Sequence, residues 1–341
     1  MKTVIIVVVS ILVSALTAFG VVTLFFRNGG QLDQVLSVEA TPVPTPLARY
    51  SINRLSTARV QEGVINVGEM LSEEETFTSY TFEHTFKPDL EGDEKKVTGM
   101  INVPKTGQLF PAVVMVRGYV DQKIYETGMG TKNASYFFAD KGFITIAPDF
   151  LGYGGSSSES SNIFETRFQT YTTMMSVLRS LSSLPQWDRE HVFIWAHSNG
   201  GQVALTTLVI TGRNYPTTLW APVTKPFPYS VLYYTDESID DGKFIRSELS
   251  DFESIYDVND FSFRNYLEKI TAPIQLHQGT ADDAIPVSWS EDFIQNMESV
   301  DKSVKYFSYP GADHNMRPVW DNVIARDLEF FQSFLGTTEK N

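Results

Sequence analysis

Short apolar runs separated by helical patterns constrain this chain more than any other feature. The runs fall at 112–116, 143–147, 192–195, 218–220, 274–276 and 304–309. Helical periodicity lies between most of them, at 132–140, 164–184, 202–210, 288–298 and 319–334. A strand that is apolar on both faces needs cover on both, which a parallel sheet flanked by helices supplies. Before these, 78–86 and 96–103 alternate around the turn-rich Pro88-Asp89-Leu90-Glu91-Gly92-Asp93, as an antiparallel pair would. The order predicts an α/β domain with a mostly parallel central sheet, entered through antiparallel strands. No internal repeat is visible.

The flanks read differently. Residues 4–26 are apolar apart from two serines and two threonines, with Lys2 before and Arg27 after. About 20 such residues cross a bilayer as a helix. Ala15-Leu16-Thr17-Ala18 offers a signal-cleavage site, but the apolar run continues through Phe26, which favours an uncleaved signal anchor over residues 1–27. Positive charge on the N-terminal side places that end in the cytoplasm and the bulk of the chain on the extracytoplasmic side. Gly29-Gly30 and the proline-rich Thr41-Pro42-Val43-Pro44-Thr45-Pro46 make 28–70 a linker. The α/β domain is expected over 71–341. Within it, 221–270 interrupts the alternation, is rich in Phe and Tyr, and carries ten acidic against five basic residues. It is expected to be an inserted cap, because long excursions in compact domains are usually functional.

Composition removes several classes of function. A formal charge of −14 argues against a nucleic-acid partner, since phosphate contacts need a basic surface. With no cysteine, thiol catalysis, disulfides and cysteine-ligated zinc are excluded. No histidine–carboxylate spacing of a metal site appears, and neither metal nor cofactor is expected. Gly152-x-Gly154-Gly155 lies in a serine-rich loop, outside the strand-to-helix context of a dinucleotide fingerprint.

The residues that carry chemistry centre on Trp195-Ala196-His197-Ser198-Asn199-Gly200-Gly201, between an apolar run and a helical one. A serine on a tight strand-to-helix turn is the geometry of a nucleophile elbow, with small residues two before and two after it. Here those are Ala196 and Gly200. Such a serine needs a base, and the base needs a carboxylate to hold its tautomer. In the chain order serine, acid, histidine, only His277 and His314 follow Ser198. His277 sits inside a strand pattern and reads as structural; His314 sits in a loop between the last strand and the last helix and is the expected base. The acid belongs in the loop Gly279-Thr280-Ala281-Asp282-Asp283-Ala284-Ile285-Pro286, which offers two carboxylates. The Asn199 N–H is one oxyanion donor by construction; the loop Val116-Arg117-Gly118-Tyr119 supplies the second, the Tyr119 N–H. His84, His191 and His197 read as structural or lining residues.

These motifs resemble the catalytic domain of the prolyl oligopeptidase family of serine peptidases, within the α/β-hydrolase superfamily. The resemblance rests on Ser198-Asn199-Gly200-Gly201, on His277-Gln278-Gly279-Thr280-Ala281-Asp282-Asp283-Ala284-Ile285-Pro286, and on Tyr309-Pro310-Gly311-Ala312-Asp313-His314. It extends to Pro148-Asp149-Phe150-Leu151-Gly152-Tyr153-Gly154-Gly155-Ser156. Counting from Gly279, it implies Asp282 as the acid, with Gln278 an extra residue after the histidine. Many relatives have His-Gly where this chain has Arg117-Gly118. Family peptidases usually carry a β-propeller before this domain; here a membrane segment and a linker precede it.

The resemblance implies an α/β-hydrolase fold and a Ser198–His314–Asp282 triad acting through an acyl-enzyme. The expected substrate is a small molecule or short peptide cleaved at a peptide or amide bond, with a carboxylic ester as the alternative. A binding protein on a retired hydrolase scaffold is the reading of another class; it predicts the loss of a triad position, and all three are present.

Overall fold

The computed structural model describes residues 44–107, 109–235 and 238–336, and Thr45 onward forms one compact unit. The expected membrane anchor lies outside the described residues. Among the described residues no helix is long and apolar enough to cross a membrane.

Nine strands form one sheet in the order β1-β2-β3-β5-β4-β6-β7-β8-β9. Strands β1 (Ile65–Glu73), β2 (Phe77–Phe86) and β3 (Lys95–Pro104) pair antiparallel, and β3 joins β5 (Ile144–Pro148) antiparallel. From there every pairing is parallel, through β4 (Phe110–Val116), β6 (Trp187–His197), β7 (Thr217–Trp220), β8 (Ile274–Gly279) and β9 (Val304–Tyr309). Strands β4 and β5, and the 192–196 stretch of β6, are almost wholly buried, which is why they read as unbroken apolar runs. Helices α1 (Ile52–Thr57), α2 (Lys132–Asp140), α3 (Ile163–Ser180), α4 (Asn199–Thr211), α5 (Tyr229–Leu232), α6 (Lys243–Glu253), α7 (Val287–Glu298) and α8 (Trp320–Gln332) surround it. One large core cluster runs beneath α1, α3 and α4; a second, with Phe138, Phe143, Phe193 and Phe331, packs α2 and α8 on the sheet.

The N-terminal boundary differs from the expected 71. Leu47, Tyr50, Ile52 and Leu55 are buried in the main core, and the Tyr50 hydroxyl donates to Glu165 at 2.8 Å. Residues from 45 onward therefore belong to the domain and not to a linker. Strand β1 escaped notice because only Ile65 of its nine residues is buried, so no period-two pattern marks it.

The 221–270 insertion is helical. Phe252 and Phe261 pack with Phe164 and Phe168 of α3 and with Phe227, anchoring it to the domain. Hydrogen bonds tie it to β8, to α3 and to the loop after β8: the Ala221 N–H donates to His277 O at 2.8 Å, Arg167 donates to Ser230 Oγ at 3.0 Å, and the Tyr234 hydroxyl donates to Ala284 O at 3.3 Å.

Candidate active site

Ser198 joins the end of β6 to the start of α4 with φ 56° and ψ −124°, a region rare for any residue with a side chain. Its backbone is held on both sides. The Ser198 N–H donates to Trp220 O at 2.9 Å, and its carbonyl accepts from Gly201 N and Val223 N, each at 2.9 Å. The small neighbours are a steric necessity. A Cβ on Gly200 would lie 2.3 Å from Val116 O and 2.6 Å from Arg117 O; one on Gly201 would lie 2.4 Å from Pro222 Cβ. Ala196 is fully buried, and its methyl is accommodated where a glycine is commoner.

The β4 loop approaches the serine from the other side. A Cβ on Gly118 would sit 2.8 Å from Ser198 Cβ and 3.3 Å from its Oγ, so the loop backbone lies against the hydroxyl. Arg117 fixes this loop. Its Nη1 donates to Gly118 O at 2.9 Å and its Nη2 to Asp149 O at 2.9 Å. Its guanidinium lies 3.9 Å from the Tyr153 ring centroid and 4.7 Å from that of Tyr125. In a trans peptide the C=O and N–H point opposite ways, so drawing Gly118 O toward Arg117 turns the Tyr119 N–H away from it. Neither the Tyr119 nor the Asn199 N–H meets an acceptor among the described residues. The Tyr119 side chain is 76% exposed.

The loops that carry Asp282 and His314 pack backbone to backbone at Gly279, where a Cβ would lie 2.3 Å from Ala312 O. His314 Nδ1 is 3.0 Å from both oxygens of Asp282. The carboxylate is fully enclosed and fully used: Oδ1 also accepts from Ala284 N at 2.9 Å and Ile285 N at 2.8 Å, and Oδ2 from Gln278 Nε2 at 2.9 Å. Burial pushes its pKa up, but the hydrogen bonds from His314, Ile285 and Ala284 outweigh burial and hold it below the usual carboxylate range. An ionised carboxylate at Nδ1 places the ring proton there and leaves Nε2 with a lone pair. Asp283 is exposed and accepts no hydrogen bond among the described residues.

His197 props the histidine loop. Its Nε2 is 3.0 Å from His314 O, and the two rings are 4.7 Å apart. A carbonyl only accepts, so Nε2–H donates. Burial and the neighbouring His314 push the His197 pKa down to about 4. The remaining histidines are occupied elsewhere. His277 is buried between Asp327 and Tyr309, each at 2.8 Å; His84 meets Ser176 Oγ at 2.7 Å; His191 pairs with Asp188 at 2.8 Å.

Sequence reasoning missed two positioning residues. Gln278, taken only as an extra residue, turns its amide onto Asp282 while its Oε1 accepts from Ser290 Oγ at 2.8 Å. Arg117 was noted only as standing where relatives have histidine. Both act through partners distant in sequence, and a buried glutamine inside an apolar strand was the one legible sign.

A cavity of about 180 Å³ opens beside the elbow, lined by Gly118, Tyr119, Phe150, Ile163, Arg167 and Asn199 among others. Arg117 and Arg167 both reach it, and neither forms an ion pair among the described residues.

Comparison with known proteins places the fold and the family. The fold is that of an acetyl xylan esterase from a Paenibacillus species, at 18% identity over 88% of this chain and 99% of that one, with a TM-score of 0.61. It is also that of acetyl xylan esterase 1 from a Thermoanaerobacterium species, at 17% identity over 85% and 95% of the two chains, TM-score 0.60. A puromycin-hydrolyzing peptidase of Mycobacterium tuberculosis shares it at 16% identity over 83% of this chain but 40% of that one, TM-score 0.55. No curated protein matches in sequence. Residues 129–338, more than half of the chain, match the prolyl oligopeptidase family (peptidase S9). The chain belongs to that family and is a serine hydrolase of the α/β-hydrolase fold.

Proposed function

We propose that Ser198 is the nucleophile of a hydrolase that cleaves the peptide or amide bond of a small substrate through an acyl-enzyme. His314 Nε2 takes the Ser198 proton as the hydroxyl oxygen attacks the carbonyl carbon. Asp282 keeps the imidazole in the tautomer with Nδ1 protonated and stabilises the imidazolium. The Asn199 and Tyr119 N–H groups bind the tetrahedral oxyanion. His314 then returns the proton to the leaving amine, and water releases the acyl group by the same route. The observations that support this reading are a strained serine with two unclaimed N–H donors, next to it in the chain and in the β4 loop, and a histidine gripped by a buried carboxylate. No hydrogen bond joins Ser198 Oγ to His314 among the described residues, so closing that gap falls to the bound state.

A second reading is carboxylic ester hydrolysis with the same residues. It is favoured by the extent of the match: this chain spans 95% and 99% of two acetyl xylan esterases but 36% and 40% of two peptidases. A cavity of about 180 Å³ suits a short acyl group in either case. The acidic insertion, whose Tyr234 bonds the acid loop, would cap the entrance, and the apolar 4–26 segment would hold the domain at the outer face of a membrane.

A fluorophosphonate probe tests the nucleophile. Native protein should label and Ser198→Ala should not; an unlabelled native chain beside a labelled control hydrolase would sink the proposal. Paired peptide-amide and ester panels, with Ser198→Ala as blank, then decide between the readings. An N-terminal sequence of the mature protein beginning near Phe19 would overturn the anchor.

A further inference from the structure

A second cavity, larger than the one beside the elbow, lies on the other side of His197. Its volume is about 390 Å³, and Thr131, Lys132, Asn133, Trp195, Trp220, Asn315, Arg317 and Trp320 form most of its wall. None of the proposed nucleophile, acid or oxyanion residues lines it, and the proposed mechanism makes no use of it.

Its chemistry is that of an anion site. The chain carries 41 acidic against 27 basic residues, yet no carboxylate lines this cavity and two cations do. The Arg317 side chain enters no ion pair or hydrogen bond among the described residues; its backbone is bound both ways to Asp313, the N–H donating to Oδ1 at 2.8 Å and the carbonyl accepting from Asp313 N at 3.0 Å. Among the described residues the Lys132 ammonium meets only the face of Tyr136, 5.3 Å away. The cavity also takes in the first turn of the nine-residue helix α2. Lys132 N bonds back to Gly128 O, but the Asn133 and Ala134 N–H groups meet no acceptor among the described residues, and the Thr131 side chain does not cap them. Those unsatisfied donors and the positive end of the helix favour an anion. Trp195 also lines the cavity; it is 3% exposed, and its enclosed Nε1 meets no hydrogen-bond partner among the described residues.

The rest of the wall selects the body of the ligand. Trp195, Trp220 and Trp320 meet edge to face in succession, with centroids 5.4 and 6.0 Å apart, and border the cavity. We infer that this cavity binds a small carboxylate carried on a flat apolar ring, its charge on Lys132, Arg317 and the α2 amides and its ring among the tryptophans. The site is bordered by His197, whose Nε2 bonds His314 O, and by Asn315, the next residue in the chain, so its wall adjoins the proposed base.

Binding is read without turnover, on the full-length chain, by calorimetry and by intrinsic fluorescence; three of the five tryptophans line the cavity. Phenylacetate is the probe, with phenylacetamide as its uncharged counterpart and acetate as the anion without a ring. Phenylacetate should saturate and quench, and should bind at least about tenfold tighter than either comparator, the effect of losing one charge-assisted contact. These comparisons use the wild-type chain and do not depend on any variant folding. Arg317→Gln and Lys132→Gln, checked for fold by circular dichroism, should each weaken phenylacetate by about fivefold or more, while Arg167→Gln in the other cavity should not. Equal binding of the amide, equal binding of acetate, no saturable binding, or a loss at Arg167 in place of Arg317 would each overturn the inference.

Discussion

Replacing Asp282 with asparagine tests the proposed base more sharply than deleting it, because the surroundings dictate how the amide must lie. Oδ1 faces two fixed donors, the Ala284 and Ile285 N–H groups, so the asparagine oxygen must take that position. Its NH2 then occupies the place of Oδ2, against the Gln278 Nε2 amide at 2.9 Å and His314 Nδ1 at 3.0 Å. Gln278 cannot relieve this by flipping. Its Nε2 also donates to Gly279 O at 3.2 Å and Ile285 O at 3.4 Å, and a flip would set its oxygen against those two carbonyls. His314 Nδ1, 3.0 Å from both positions, then faces an NH2 donor on one side and on the other an oxygen already taken by two N–H groups, which favours the tautomer with the proton on Nε2, the atom that has to accept one. In a serine–histidine–aspartate triad such a change lowers kcat by about 10⁴ with little change in geometry, roughly 5.5 kcal/mol of transition-state stabilisation. The assay is kcat/KM on a chromogenic ester and a peptide amide, with circular dichroism to verify the fold. Asp283→Asn is the matched control and should stay within about twofold, since surface substitutions away from special features change little. A loss below tenfold for Asp282→Asn, or a larger loss for Asp283→Asn, would refute the assignment.

Gly118→Ala should place a methyl 3.3 Å from Ser198 Oγ, within the distance at which reacting atoms meet, and cut fluorophosphonate labelling by about 10² or more. Overpacking should cost about 1–3 kcal/mol in thermal stability; labelling within threefold of wild type would remove the loop from the site. His197→Gln tests the prop by pH. The folded pKa, about 4, lies below the ordinary 6.5, so the unfolded chain binds the extra proton, and His197 costs stability as pH falls from about 6.5 to about 4. The variant should lose that dependence, up to about 3 kcal/mol across the window, as read from urea midpoints; parallel curves for the two proteins would contradict the shift.

The fold was legible because burial of both strand faces leaves an unmistakable apolar run, and β4 and β5 are buried almost throughout. The edge was not: β1 is solvent-facing along most of its length, and α1 is six residues, shorter than any helical periodicity can establish. At the candidate site, Ser198, Asp282 and His314 stand out in the sequence as the proposed triad because their loops follow strands in a fixed order. Their support could not be. Arg117 meets Asp149 and Tyr153, and Gln278 meets Ser290 and Asp282, pairings that only the folded sheet creates. The cavity under the histidine loop was invisible for the same reason, since α2, β6, β7 and the 315–320 segment contribute to it separately.

The elbow itself shows how the fold sustains a strained residue. A non-glycine residue at φ 56° costs on the order of 1–3 kcal/mol and persists only where its surroundings over-determine it. Three constraints act on Ser198 here. Its N–H is tied to β7 through Trp220 O, and its carbonyl is shared by Gly201 and Val223, so rotating the peptide on either side would break bonds to separate elements. Gly200 is pressed onto the carbonyls that end β4, which fixes where α4 begins. Those same carbonyls, of Val116 and Arg117, immediately precede the Gly118–Tyr119 peptide that Arg117 orients. The contact that holds the serine in its strained turn therefore also sets the distance from its hydroxyl to the proposed oxyanion donor. A change at Gly200, where a Cβ would meet backbone carbonyls at 2.3 and 2.6 Å, should thus disturb both, lowering stability and labelling together and costing more stability than Gly118→Ala.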